Sequence, residues 1–322
     1  MGGGGDGGGG GGEALEAEFA NLLSDAQLAI PVAAIQVLLG VIKRSSSATM
    51  HGIDEELRSA RDRLLLFCES QPECLRGRTV ISVTSGSELF LRHVTRTFLE
   101  TPDFAECKRM LGERGAHFAK QSEASRARIA ELGHAFVRDG AVVLVHGLSR
   151  VVTSLLAKAA ETKHFTVFVT EARPTSTGFD YASDLAALGV PTTVVLDTAV
   201  AYYMERVDVV LVGAEGVMEN GGIINRVGTL TVATCAKAMR KPLYVAAESY
   251  KFARLYPLNQ RDLPDSHAHV VDLPAPQGTH ADVLAKSPSC DYTPPNFITL
   301  LFTDLGILTP AAVSDELIRL YQ

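Results

Sequence analysis

Two rhythms of apolar residues divide the chain. From Glu13 to about Gly140 the pattern is helical: Val32, Ile35, Leu38, Leu39 and Ile42 recur at helical spacing, and Pro31 stands where a first turn tolerates it. A second helix is expected from about Ile53 to Glu69, with Leu57, Leu64 and Leu65 on one side. Residues 88–99 and 126–137 read the same way, whereas TVISVTSGSELF (79–90) fits either a short strand or a helix entered through a Ser-Gly turn.

After Gly140 short β-branched runs alternate with helical stretches. The runs are AVVLVH (141–146), FTVFVT (165–170), TTVVL (192–196), DVVLVG (208–213), PLYVAA (242–247) and FITLLF (297–302). Strands this apolar are covered on both faces, as in a parallel sheet. The intervening stretches carry Val151, Val152, Leu155, Leu156 and Ala159, then Leu185 and Leu188, then Val232, Cys235 and Ala236. This βαβ series predicts an α/β fold: an N-terminal helical domain (13–138), then a Rossmann-like, mostly parallel doubly wound sheet domain (139–322). The glycine tract 1–12 cannot bury apolar surface and is expected to be a flexible tail. Seven of fourteen prolines fall between Pro257 and Pro295, so residues 250–296 read as a long proline-rich loop, functional or interface-forming. The ending SDELIRLYQ reads as a Ser/Asp-led helix docked on the sheet edge.

Composition narrows the partners. A net charge of −7 and a pI near 5.7 argue against nucleic acid, whose affinity comes from cationic contacts. The basic clusters, Lys43-Arg44 and Arg58 to Arg63, read as solvated helix faces. Five scattered cysteines (Cys68, Cys74, Cys107, Cys235, Cys290) form no CxxC pair and no zinc spacing, so buried free thiols in a reducing compartment are expected. No apolar run is long enough for a membrane helix and the start shows no signal pattern, which together predict a cytosolic protein with no membrane partner.

Ligands of open α/β sheets bind beyond the carboxyl ends of the strands. Those ends read His146-Gly147-Leu148-Ser149-Arg150, Thr170-Glu171-Ala172-Arg173-Pro174, Asp197-Thr198 and Gly213-Ala214-Glu215-Gly216, followed by ENGGIINRVGT (219–229). Arginines, glycines and helix N-termini together suit an anion. Taken singly, Arg150 and Arg173 also fit surface ion pairs, His146 a structural histidine, Glu171 and Glu215 arginine partners, and Asn220-Gly221 a turn. Neither GxGxxG nor a Walker motif follows a strand, so dinucleotides and nucleoside triphosphates are poorly supported. No cofactor and no metal are expected.

Several blocks resemble one family: VTSGSELFLR (83–92), DGAVVLVHGLSRVV (139–152), VFVTEARP (167–174), VPTTVVLDTAV (190–200), VDVVLVGAEGVMENGGIINRVGT (207–229), VAAESYKFARLYPLNQRDLP (245–264) and FITLLFTDLGILTPAAVSDELIRLY (297–321). They are similar to subunits of eukaryotic translation initiation factor 2B, the guanine-nucleotide exchange factor for initiation factor 2, and most to its alpha type. The likeness runs from about residue 19 to the end, leaving out the glycine-rich start and residues 265–290. It implies a regulatory, non-catalytic subunit that forms a homodimer and assembles with the beta, gamma, delta and epsilon subunits. It also implies sensing of the phosphorylated alpha subunit of initiation factor 2, with residues 43–52 and their Thr49 facing that partner.

The family is related to isomerases of methylthioribose 1-phosphate and ribose 1,5-bisphosphate. In those enzymes a cysteine follows the histidine that ends the first sheet strand, and an aspartate follows a Gly-Ala pair. Here these positions are Gly147 and Glu215, which disfavours the isomerase alternative. The resemblance and the residues together suggest a pocket for a phosphorylated sugar or nucleoside monophosphate, held by Ser85, Gly86, His146, Arg150, Glu171, Arg173, Glu215, Asn225 and Arg226. A dimerisation module with a vestigial pocket is the third alternative.

Overall fold

A computed structural model describes residues 9–25, 28–71, 75, 80–101, 103–263, 270–273, 276–280 and 282–321. The chain forms two compact units, one of residues up to 76 with 82–123, the other of residues 77–81 with 124–320.

The first unit is helical. Helix α1 (Gly9–Ser24) begins inside the glycine tract, because the strong helix formers of EALEAE carry the helix backward over four glycines; residues 1–8 lie outside the described part. Helix α2 (Ile30–Arg44) buries ten of its fifteen residues, Pro31 sits in its first turn, and it is the core of this unit. Helix α3 (Met50–Ser70) turns Ile53, Leu57, Leu64 and Phe67 inward and is capped by Thr49, whose Oγ1 accepts from Gly52 N at 3.1 Å. The ambiguous run is helical, as α4 (Ile81–Glu100). A Cβ on Gly86 would stand 2.6 Å from Cβ of Pro31, so this glycine lets α4 approach α2 closely.

Helix α5 (Phe104–Gly133) is longer than its apolar pattern predicts. Its Ile129 and Ala130 are buried in the core of the second unit, which is why the division falls at residues 123/124 and not at 138/139.

The second unit then alternates β1 (Val142–His146), α6 (Arg150–Ala160), β2 (Thr166–Thr170), α7 (Gly178–Ala187), β3 (Thr192–Val195), α8 (Val200–Met204) and β4 (Val209–Gly213). There follow β5 (Gly216–Met218), β6 (Ile223–Arg226), α9 (Thr229–Ala238), β7 (Leu243–Ala246) and β8 (Phe252–Ala253). The chain closes with β9 (Val270–Asp272), β10 (Lys286–Pro288), β11 (Cys290–Thr293), β12 (Leu300–Thr303), β13 (Gly306–Leu308) and α10 (Val313–Tyr321). All six expected strands are present in one sheet ordered β13-β12-β7-β4-β1-β2-β3, parallel except for the edge hairpin β12–β13. The order reverses direction on either side of β1, the switch point of a doubly wound sheet. Val143, Val145, Leu155, Val167, Val169 and Leu211 are fully or almost fully buried between sheet and helices.

The proline-rich stretch is not one loop. Strands β5, β6, β8 and β11 form a second, four-stranded sheet ordered β11-β6-β5-β8, and β9 pairs with β10. Antiparallel pairing of β11 with β6 sets Asp291 opposite Asn225 and Cys290 opposite Arg226. Among the described residues no helix is long and apolar enough to cross a membrane, and no group of His, Cys, Asp and Glu could hold a metal ion. Cys68, Cys107 and Cys290 are buried free thiols and Cys235 is half-buried; Cys74 lies outside the described residues.

Candidate functional site

The site lies at the carboxyl ends of β1, β2 and β6 within the second unit. His146, the last residue of β1, is 1% exposed. Its Nε2 stands 3.0 Å from the carbonyl oxygen of Val227 and its Nδ1 2.6 Å from Oγ1 of Thr170. A carbonyl only accepts, so the proton sits on Nε2, and Nδ1 accepts from the threonine hydroxyl. Burial pushes the His146 pKa down, outweighing the attraction of Asp197 at 3.9 Å, so the ring is neutral. Both ring nitrogens are thus committed to structural hydrogen bonds. The α9 entry makes room for the ring: Gly228 has φ +104°, and a Cβ there would stand 2.8 Å from the imidazole Cε1.

Gly147 follows in the left-handed region at φ +71°, where L side chains are disfavoured. The stem of Arg226 lies close beside it, 3.2 Å from where a Cβ would stand. The Arg226 Nε lies 3.4 Å from Oε1 of Glu215, and both side chains are at most 13% exposed. Asn225 donates to Oγ1 of Thr229 at 3.1 Å, and that hydroxyl donates to the Arg226 carbonyl at 2.6 Å. These bonds fix the β6–α9 corner.

The β2–α7 loop supplies the facing wall. Ala172 N and Arg173 N donate to the two carboxylate oxygens of Asp197 at 3.0 and 2.8 Å, with Ala172 at φ +56° and a cis Arg173-Pro174 peptide. Arg173, Thr175, Arg226 and Ser289 line one narrow crevice, whose enclosed space of about 10 Å³ has room for a single water. Behind it, Asp291 Oδ2 accepts from Gly228 N at 2.7 Å and Leu230 N at 3.1 Å, while the buried Oδ1 has no hydrogen-bond partner. Burial raises the Asp291 carboxyl to about 7 against the pull of those two amides. Burial, with Glu215 and Asp291 nearby, lifts the Cys290 thiol to about 12, so it is not a thiolate at neutral pH.

The structure therefore gathers His146, Glu215, Asn225, Arg226 and Arg173 of the expected residues. Arg150 opens α6 and Glu171 ends β2's edge of the site, both half-buried. Ser85 and Gly86 lie on α4 in the helical unit, Ser85 fully buried and Gly86 at the close approach to Pro31. Thr49 is committed as the α3 cap. Thr170, Asp197 and Gly228 lie in the strand-end segments without having been expected as site residues, and Asp291 sits among prolines that read as loop.

As chemistry, the arrangement can bind an anion through Arg173 and Arg226. It offers no activated nucleophile among the described residues: position 147 has no side chain, the Cys290 thiol is protonated, and the His146 nitrogens are occupied.

The relatives agree with the fold and divide on the chemistry. Translation initiation factor eIF2B subunit alpha of Dictyostelium discoideum is 43% identical over 315 residues, covering 95% of this chain and 96% of that protein. Ribose 1,5-bisphosphate isomerase of Archaeoglobus fulgidus is 29% identical over 277 residues, covering 84% of this chain and 82% of the enzyme. The crystal structure of the tetrameric eIF2B-beta2-delta2 complex from C. thermophilum superposes with a TM-score of 0.75 at 20% identity, over 96% of this chain and 95% of that one. The model of the initiation factor 2 subunit family matches residues 24–310. With nearly the whole folded chain inside that match, this protein belongs to the initiation factor 2 subunit family.

Proposed function

We propose that the chain is an alpha-type regulatory subunit of the guanine-nucleotide exchange factor for initiation factor 2 and catalyses no reaction itself. The observation that carries the reading is local: residue 147 has no side chain, and it holds a left-handed backbone with the Arg226 stem close against the place of a Cβ. The 43% identity to an eIF2B alpha subunit supports the same role.

In this reading the chain pairs with a second copy and joins the beta, gamma, delta and epsilon subunits. Segment 43–52 faces initiation factor 2 and contributes to sensing its phosphorylated alpha subunit. The crevice lined by Arg173 and Arg226 takes the phosphate of a sugar or nucleoside monophosphate without turning it over, because a guanidinium group matches a phosphate's pairs of acceptors. Neutral His146, held by Val227 and Thr170, moves no proton.

Two assays test it. Phosphorylated and unphosphorylated initiation factor 2 are captured by the exchange factor assembled with and without this chain; the chain is expected to favour the phosphorylated form, and equal capture in all four cases refutes sensing. Incubation with ribose 1,5-bisphosphate, followed by phosphorus NMR, is expected to return the substrate unchanged.

A further inference from the structure

The α2–α3 connection, residues 45–48, carries an unused acceptor group. Its backbone is extended at Ser45 (φ −59°, ψ 130°) and at Thr49 (φ −131°, ψ 149°). Three hydroxyls lie in the span and a fourth on Thr49 beside it; three of these four are engaged. Ser45 Oγ accepts from Ser47 N at 3.1 Å, Ser47 Oγ donates to the Thr49 carbonyl at 3.3 Å, and Thr49 Oγ1 caps α3. The Ser45 carbonyl is tied to Lys108 Nζ at 2.7 Å, which pins one end of the segment. Ser46 is exposed, and its hydroxyl makes no hydrogen bond among the described residues. Two and three residues before it stand Arg44 and Lys43, both exposed. Arg44 pairs with Glu18 at 2.9 Å, a surface contact that a competing carboxylate displaces readily.

We propose that Ser46 is a phosphorylation site for a serine kinase whose substrate groove carries carboxylates for cations two and three residues ahead of the acceptor. Such a groove needs an accessible hydroxyl on non-helical backbone, which residues 45–48 supply, while Lys43 and Arg44 form the last turn of α2, which frays open to lay them in the groove. In the transfer, Ser46 Oγ bonds to the γ-phosphorus of ATP and the bond to the β-phosphate oxygen breaks. ADP leaves, and the hydroxyl proton passes to the kinase's catalytic carboxylate. The product adds about −1.5 to −2 charges between the end of α2 and the start of α3, beside Lys43 and Arg44, whose cations offset the repulsion of the α2 C-terminus.

A regulatory consequence rests on the placement of segment 43–52 under Proposed function. A phosphate at Ser46 neutralises the local cations and repels the phosphoserine of initiation factor 2, so capture of the phosphorylated factor weakens.

The full chain is incubated with ATP and the catalytic subunit of a cyclic-AMP-dependent type kinase, and phosphate is mapped by mass spectrometry. Phosphate is expected at Ser46, lost in Ser46→Ala, kept in Ser47→Ala, and incorporated about tenfold more slowly when Lys43 and Arg44 are both replaced by alanine. Incorporation undiminished by Ser46→Ala, or a folded chain left without phosphate at Ser46, overturns the site. The phosphorylated chain, built into the exchange factor, is then expected to capture phosphorylated initiation factor 2 about tenfold less tightly. Unchanged capture by a chain that does carry the phosphate leaves the site standing and contradicts the placement of the loop.

Discussion

A Cβ on Gly147 would stand 3.2 Å from Cγ and 3.4 Å from Cβ of Arg226, on a backbone at φ +71°. A side chain at residue 147 would therefore crowd the Arg226 stem, which has to give by a few tenths of an ångström. Restoring a thiol here does not restore an enzyme. Gly147→Cys is expected to lose about 1–2 kcal/mol of stability through the left-handed backbone and to gain no turnover of ribose 1,5-bisphosphate or methylthioribose 1-phosphate. Denaturant titration and phosphorus NMR measure the two; a stable, active variant would show that the pocket kept its catalytic layout.

His146 gives a pH signature. Its pKa is pushed down by burial, so below the ordinary histidine range the folded state binds fewer protons than the unfolded chain. Stability from this residue is present above the unfolded pKa and falls as pH drops through about 6.5. Nitrogen-15 NMR of the imidazole is expected to show a neutral Nε2–H ring from pH 7.5 to 6, and a ring titrating near 6.5 would contradict the hydrogen-bond assignment.

Asp291 acts in the opposite sense. Its folded pKa of about 7 lies above its ordinary value, so its contribution is full at low pH and is lost as pH rises through 7. Asp291→Asn keeps an oxygen for Gly228 N and Leu230 N and removes the charge. The variant is expected to lose less stability than the parent between pH 6 and pH 8, read from thermal midpoints. Parallel curves would show that Asp291 is ionised throughout.

Arg226 joins binding to stability. Replacing it by methionine leaves Glu215 buried without its cation, at a cost of about 3 kcal/mol. A Glu215→Gln/Arg226→Met double variant is expected to recover most of that loss, while ribose 1,5-bisphosphate is expected to raise the thermal midpoint of the parent and of neither variant. Stabilisation retained by the double variant would move the phosphate away from Arg226.

The sequence announces the parallel sheet because its strands are unbroken β-branched runs, such as VVLVH and VVLVG, that only burial on both faces explains. Helices α2 and α3 are equally visible through their periodic apolar faces. The second sheet is not, because GVM, IINR and CDYT are three or four residues long and their partners lie far apart in the chain, as Asn225 and Asp291 do. The same distance hides Asp291 and Val227 from the site. Arg173, Glu215 and Arg226 were legible because they end strands, whereas the orientation of His146 depends on a carbonyl contributed eighty-one positions away.

The account stands most directly on nucleotide release from initiation factor 2. With this chain in the exchange factor, phosphorylating the factor's alpha subunit is expected to slow GDP release strongly; with the chain omitted, release continues at nearly its unphosphorylated rate. Inhibition that is equally deep with and without the chain would contradict a regulatory role for it.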